Sequence, residues 1–225
     1  TLLARLDLAL RSFVPDAIGA PDHWQIDRLG LLRPQLAHLP DERRSLAEAW
    51  LDFYEEQVVN RLTALRTQAI HGDFNPANLL VDPNHFEQLV GVIDFGDMTV
   101  GPLVADPAIA AAYQALGTAD PTAVIANAAA IYAAQQPLTD DELALFPLLA
   151  VSRLVQSLLI SSWRASIHPE NREYILLHAE PIWQTLCQLD PGQPDRLIEL
   201  TRPSRPSDAS RRTTGEVHDI RKRHL

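Results

Sequence analysis

At 225 residues, 46% hydrophobic and with a formal charge of −10, the chain is long enough to bury a core as one domain and too acidic for nonspecific nucleic-acid binding through a broad basic surface. Its single cysteine, Cys187, excludes an internal disulfide framework, and its place in an amphipathic stretch predicts a buried, inert thiol. No run of about 18 residues is free of polar interruption and the first residues show no export pattern, so no membrane span is expected and the cytoplasm is the default compartment.

Leu2 to Phe13 repeats Leu, Ala and Arg at helical spacing, and Pro15 ends the pattern. In Asp22-His23-Trp24-Gln25-Ile26-Asp27 the indole of Trp24 either packs or offers its face to an ammonium group. Asp41 is placed to cap a long helix on which Leu46, Trp50, Phe53, Val58, Leu62 and Leu65 fall near one face. That helix leads to His71-Gly72-Asp73, with Asn78 five residues beyond Asp73.

A tight loop of this length carries both side chains into one cleft. Asp73 is the candidate catalytic base, and the amide oxygen of Asn78 is a hard neutral ligand suited to Mg2+. Asn78 to Val81 and Leu89 to Ile93 read as two strands joined by Asp82-Pro83-Asn84. Such a hairpin returns Asp94, a charged oxygen donor, to the side of Asn78. Any one of these residues is an ordinary turn former; the three at this spacing around a hairpin point to metal-assisted phosphoryl transfer.

After the hairpin, helices are expected over Pro107 to Leu116, Pro121 to Gln135, Asp140 to Ala165 and Pro169 to Leu189. Asp106 stands where an N-cap of the first would be. In the third, Ser157 and Ser161 share a face and are candidates to line an acceptor pocket, with Arg153 and Trp163 expected elsewhere around the cylinder. From Asp190 the text turns to Pro, Ser, Arg and Thr and reads as a linker. Residues 201–225 carry about +4, leaving about −14 on the rest, a balance that suits Mg2+ and cationic substrates.

The order of parts resembles protein kinases, in which a loop Asp positions the hydroxyl and a loop Asn and the Asp of a D-F-G element bind metal. Here Asp94-Phe95-Gly96 is a literal D-F-G, but Gly72 stands where those enzymes carry Arg. The H-G-D-x-x-x-x-N loop and the I-D-F-x-D segment resemble the aminoglycoside phosphotransferase and choline kinase branch, and Trp24-Gln25-Ile26 is similar to the W-D-L region of its hydroxylysine kinase-like members, with Gln25 departing from Asp. The resemblance implies a protein-kinase-like C-terminal lobe, mainly α with a small β-hairpin, over residues 1–190. It also implies Mg2+ and ATP or GTP as requirements, and an amino-alcohol acceptor of hydroxylysine, ethanolamine or choline type, an aminoglycoside being less favoured. In this family Asp97 lies near the metal and phosphates, as a further ligand or a turn residue, while Asp106 and His71 brace the loop.

Residues 1–68 hold no glycine-rich strand-turn-strand and no Lys, the lone lysine being Lys222. An N-terminal nucleotide lobe is therefore expected to be absent and the isolated chain inactive. The last residues, Val217 to Leu225, resemble the start of a class III aminotransferase-like domain found fused behind such kinases, or form a plain terminus. Two further readings stay open: a noncatalytic module that presents substrate to a fused enzyme, and a metal-dependent hydrolase using the same carboxylates on water.

Overall fold

The computed structural model describes residues 1–14, 23–189 and 197–199. Helix α1 (Leu2–Leu10) is capped by the Thr1 hydroxyl, which accepts from the Ala4 amide. A run of 3-10 helix then spans Ile26–His38, longer than such helices usually persist. Its apolar spacing explains it. Ile26, Leu29 and Leu32, then Leu36 and Leu39, recur every three residues, so in a three-residue turn they eclipse one another, and all five are buried. The Tyr54 hydroxyl donates to Ile26 O at 2.8 Å, and Arg44 donates to the Leu36 and Leu39 carbonyls, which fixes both ends.

Helix α2 (Asp41–Gln57) buries Ala47, Trp50, Leu51 and Tyr54. Asp41 is its first helical residue and Pro40 holds the cap position without a side-chain bond, which corrects the capping role expected of Asp41. The short α3 (Val59–Leu62) follows, leading to β1 (Thr67–Ile70). Strand β2 (Leu79–Asp82) pairs antiparallel with β3 (His85–Val92), Leu79 opposite Val92, with a bulge near Val81. A second two-stranded ladder joins β1 to β4 (Thr99–Pro102), Ile70 opposite Thr99. The β2–β3 hairpin stands out from the body, its side chains Phe86 and Val90 being 75% and 62% exposed.

The helical body is built on α4 (Ala105–Ala115), α5 (Pro121–Ala133) and α6 (Asp140–Ile167). Ala108, Ala111, Ala112 and Ala115 are fully buried, and their small side chains let α4 lie close against α6. Helix α6 is apolar around most of its circumference, as a helix buried on all sides must be. By length and mean hydropathy it could cross a membrane, but Ser152, Arg153, Gln156 and Ser157 interrupt it, as expected, and 89% of that window is covered by the rest of the fold. The region expected as one helix from Pro169 to Leu189 is broken into a 3-10 turn, α7 (Arg172–Ile175) and α8 (Ala179–Gln188). Cys187 is exposed on α8, not buried as its surroundings implied, because Ile182, Thr185, Leu186 and Leu189 take the inward face.

Leu197 is buried against the main core, so part of the stretch read as linker touches the lobe. The Pro- and Arg-rich residues from 200 onward, including the aminotransferase-like ending, lie outside the described residues.

Candidate active site

The loop after β1 is held from below. Asp106, fully buried, accepts from the His71 amide through Oδ2 at 2.8 Å and from the Gly72 amide through Oδ1 at 2.9 Å. It is the second residue of α4, whose N-cap is Val104. Its carboxylate therefore serves the loop amides and does not cap its own helix. Gly72 has φ of +79°, and a Cβ there would lie 2.6 Å from Asp97 O, so this turn accepts only glycine comfortably.

His71 ties the loop to the far arm of the hairpin. Nδ1 accepts from the Asp73 amide, which leaves Nε2 as the donor to Ile93 O at 3.0 Å. The ring also packs against Phe74 and Phe95. The turn at Asn75 is closed by its own side chain, which accepts from the Ala77 amide.

Asp73 is the centre of the arrangement. Asn75 Nδ2 and Asn78 Nδ2 donate to Oδ2 at 2.9 and 3.0 Å, and Arg153 Nη2 donates to Oδ1 at 2.6 Å. A carboxylate offers about four acceptor positions, so these three donors leave one on Oδ1, beside the guanidinium. Asn78 spends Nδ2 on Asp73 and its backbone oxygen on the Ile93 amide at 3.0 Å, so Oδ1 is the oxygen it has left to offer a cation. That last bond sets Asp94 one residue beyond the rung that holds Asn78. Asp94 has φ of +63°, the left-handed region that Asp tolerates better than most residues and that recurs at functional sites.

Arg153 is the residue that the sequence reading placed wrongly. It stands four residues before Ser157, so Arg153, Ser157 and Ser161 form one stripe of α6. Its side chain is 2% exposed and is packed in an aromatic slot, 4.5 Å from the Trp24 ring and 5.7 Å from the Tyr113 ring. The Trp24 carbonyl accepts from Nη1 at 3.2 Å. The cation on the Trp24 face is thus Arg153. Gln156 donates to the His23 and Gln25 carbonyls and fixes the same segment on α6.

A cleft of about 580 Å3 opens beside the loop, walled by Trp24, Asp27, Thr63, Gly72, Asp97 and Thr99 among others. Gln25 donates to Thr99 across it at 3.0 Å. Ser157 and Ser161 are not among its walls. Among the described residues the buried Ser157 hydroxyl has no partner, and that of Ser161 donates to its own helix at Leu158 O. The walls of this cleft likewise leave out Asp73, Asn78 and Asp94, so the two serines stand outside it as those loop residues do.

Residues 1–146 match the family model described as the phosphotransferase enzyme family. The chain belongs to that family. It is 32% identical over 204 residues to hydroxylysine kinase of Mus musculus, an alignment covering 85% of this chain and 54% of the relative. It is 29% identical to hydroxylysine kinase of Bos taurus, covering 84% and 53%, and 30% identical to that of Xenopus laevis, covering 74% and 46%. The chain spans about half the length of these curated relatives.

For a phosphotransferase the donor set fits Mg2+ in kind. Asp94 supplies a carboxylate and Asn78 an amide oxygen, and Mg2+ commonly takes one or two protein carboxylates, leaving its other positions to water and phosphate. Among the described residues no three His, Cys, Asp or Glu side chains cluster as a ready-made cage. Asp97, the third acid considered as a ligand, lies half-buried on the cleft wall, with its backbone oxygen against Gly72.

Proposed function

We propose that this chain carries the catalytic loop of a small-molecule kinase that moves the γ-phosphate of ATP or GTP to the hydroxyl of an amino alcohol of the hydroxylysine type. The observation that carries the reading is the Asp73 carboxylate, held on both oxygens by Arg153, Asn75 and Asn78 and left one acceptor position. That position accepts the substrate hydroxyl and aims its oxygen. Held so, Asp73 contributes orientation and a destination for the proton.

Asn78 and Asp94 are the residues that would hold Mg2+, with Asp97 as an outer acid. When bound, the ion supplies charge neutralisation at the transferring phosphoryl group. Hydroxylysine leads the acceptor class because the relatives are named for it. Ethanolamine and choline share the cationic, hydroxyl-bearing character that an acidic lobe favours.

The test is Mg2+-dependent phosphate incorporation by the full-length polypeptide into a panel of amino alcohols, compared with Asp73→Asn. The variant is expected to lose about 10²–10⁴-fold in turnover with nucleotide affinity retained. Equal turnover by the two proteins refutes the role of Asp73. Phosphate release with no acceptor dependence favours a hydrolase instead.

A further inference from the structure

Beneath the catalytic loop lies a pair of acids that phosphoryl transfer does not use. Asp7, on the inner side of α1, and Asp106 are both completely buried. The two side chains are hydrogen-bond neighbours. The oxygens of Asp106 serve the His71 and Gly72 amides. Asp7 Oδ2 accepts the Tyr132 hydroxyl of α5 at 2.6 Å, while Asp7 Oδ1 is buried and, among the described residues, has no donor.

Two bare carboxylates in contact, cut off from water, repel strongly. Among the described residues neither acid has an ion-pair partner. A proton on Asp7 Oδ1 resolves both problems, since the orphan acceptor becomes a donor and the repulsion vanishes. The proton belongs on Asp7 because Asp106 already accepts two amides and Asp7 accepts one hydroxyl.

We propose that Asp7 is a neutral carboxylic acid at physiological pH and a positioning residue, donating a hydrogen bond to Asp106 and thereby holding the two amides that open the Asp73 loop. Its meaning for catalysis rests on the kinase reading; the proton itself does not. Burial first, and the charge of Asp106 second, push the Asp7 carboxyl up to about 9. The ionisable groups that bear on the pair are Tyr132 from α5, raised by burial and then by Asp7, and His71 from the loop, whose backbone amide favours the charged form of Asp106. The α1 helix is clamped in place by Gln68 of β1, which donates to the Asp7 carbonyl at 2.7 Å.

The sign of the linkage follows. With the folded value above the unfolded 3.8, the folded chain binds one extra proton in between. The stabilisation is complete below 3.8 and is lost as pH rises through about 9. Asp7→Asn keeps a donor for Asp106 and an acceptor for Tyr132 but has no proton to lose.

The experiment is thermal unfolding of the 225-residue chain and of Asp7→Asn between about pH 5 and about pH 9, with infrared spectra at neutral pH. The wild-type Tm is expected to fall more steeply with pH than that of the variant, and the wild type alone to show the carbonyl band of a buried protonated acid. In Asp7→Leu the His71 and Gly72 amides should exchange hydrogen about tenfold faster or more, while Asp7→Asn retains wild-type protection. Parallel Tm slopes with no loss of the acid band in Asp7→Asn overturn the proposal, whether or not Asp7→Leu folds. None of these readouts depends on turnover, so this proposal and the kinase reading fail separately.

Discussion

At Asp73 the carboxylate is held by a residue 80 positions away. Arg153 brings a planar fork and a stackable face, and both are in use: one nitrogen on Asp73, the plane against Trp24 and Tyr113. In the full-length protein Arg153→Ala is expected to lower kcat about 10- to 100-fold with a smaller change in KM, because Asp73 is left to wander by a fraction of an ångström or more. Arg153→Lys should recover little of it, since a lysine cannot stack and fork together. Steady-state kinetics of the two variants decide this, and wild-type kcat in either would remove Arg153 from the site. Gly72→Ala is a separate case. It meets Asp97 O and a left-handed φ at once, so a loss of at least about 1–2 kcal/mol is expected in chemical denaturation. That Asp73, Asn78 and Asp94 come together could be read from spacing, because the loop and hairpin that join them are local in sequence. Arg153 could have been suspected from its four-residue offset to Ser157, but nothing local says which stripe of a wholly buried helix meets a loop.

Among the elements, α6 has the most fully specified start. Thr139 and Glu142 form a reciprocal capping box, and Glu142 also accepts from Arg66 on the strand side at 2.8 and 2.5 Å. Thr139→Ala is expected to cost about 1 kcal/mol by urea unfolding. Burial pushes the Glu142 carboxyl up, yet the Arg66 guanidinium and the Thr139 amide together bring it below its ordinary value. The stabilisation it gives is therefore present above pH 4.5 and fades as acid carries the pH through the lower folded value. Accordingly the Tm difference between wild type and Glu142→Gln should be widest near neutrality and close in acid; a difference that widens on acidification would contradict the assignment. Helices with strong caps were legible in the sequence to within a few residues, as Asp140–Ile167 shows. The β1–β4 ladder was not, because four-residue strands separated by about 30 residues leave no local period to read. The 3-10 run was missed for a different reason: its three-residue apolar repeat matches neither a helix nor a strand template.

Over the whole molecule, stability and chemistry occupy different regions. The helical core is closed over α6, with Leu154 and Leu158 almost without exposure. Leu158→Ala is expected to cost about 2–5 kcal/mol, whereas Phe86→Ser, on the outstanding hairpin, should change stability by no more than about 0.5 kcal/mol. Denaturant titrations of the two variants test the division. The mainly helical fold with its small hairpin was legible as a whole because the motifs bracket that hairpin, but composition alone cannot show that Leu197 packs on the core.

The hairpin has a practical consequence of its own. Asn78 and Asp94 flank its root, tied by the Ile93 amide, while Pro83 and Asn84 form the distal bend. Extra residues spliced into that bend extend the two arms outward and leave the root rung where it is. The tip is thus the place to graft a fluorophore or an affinity handle without disturbing the loop at the root, and a single residue inserted between Leu80 and the root is the change that would pull Asn78 and Asp94 out of step.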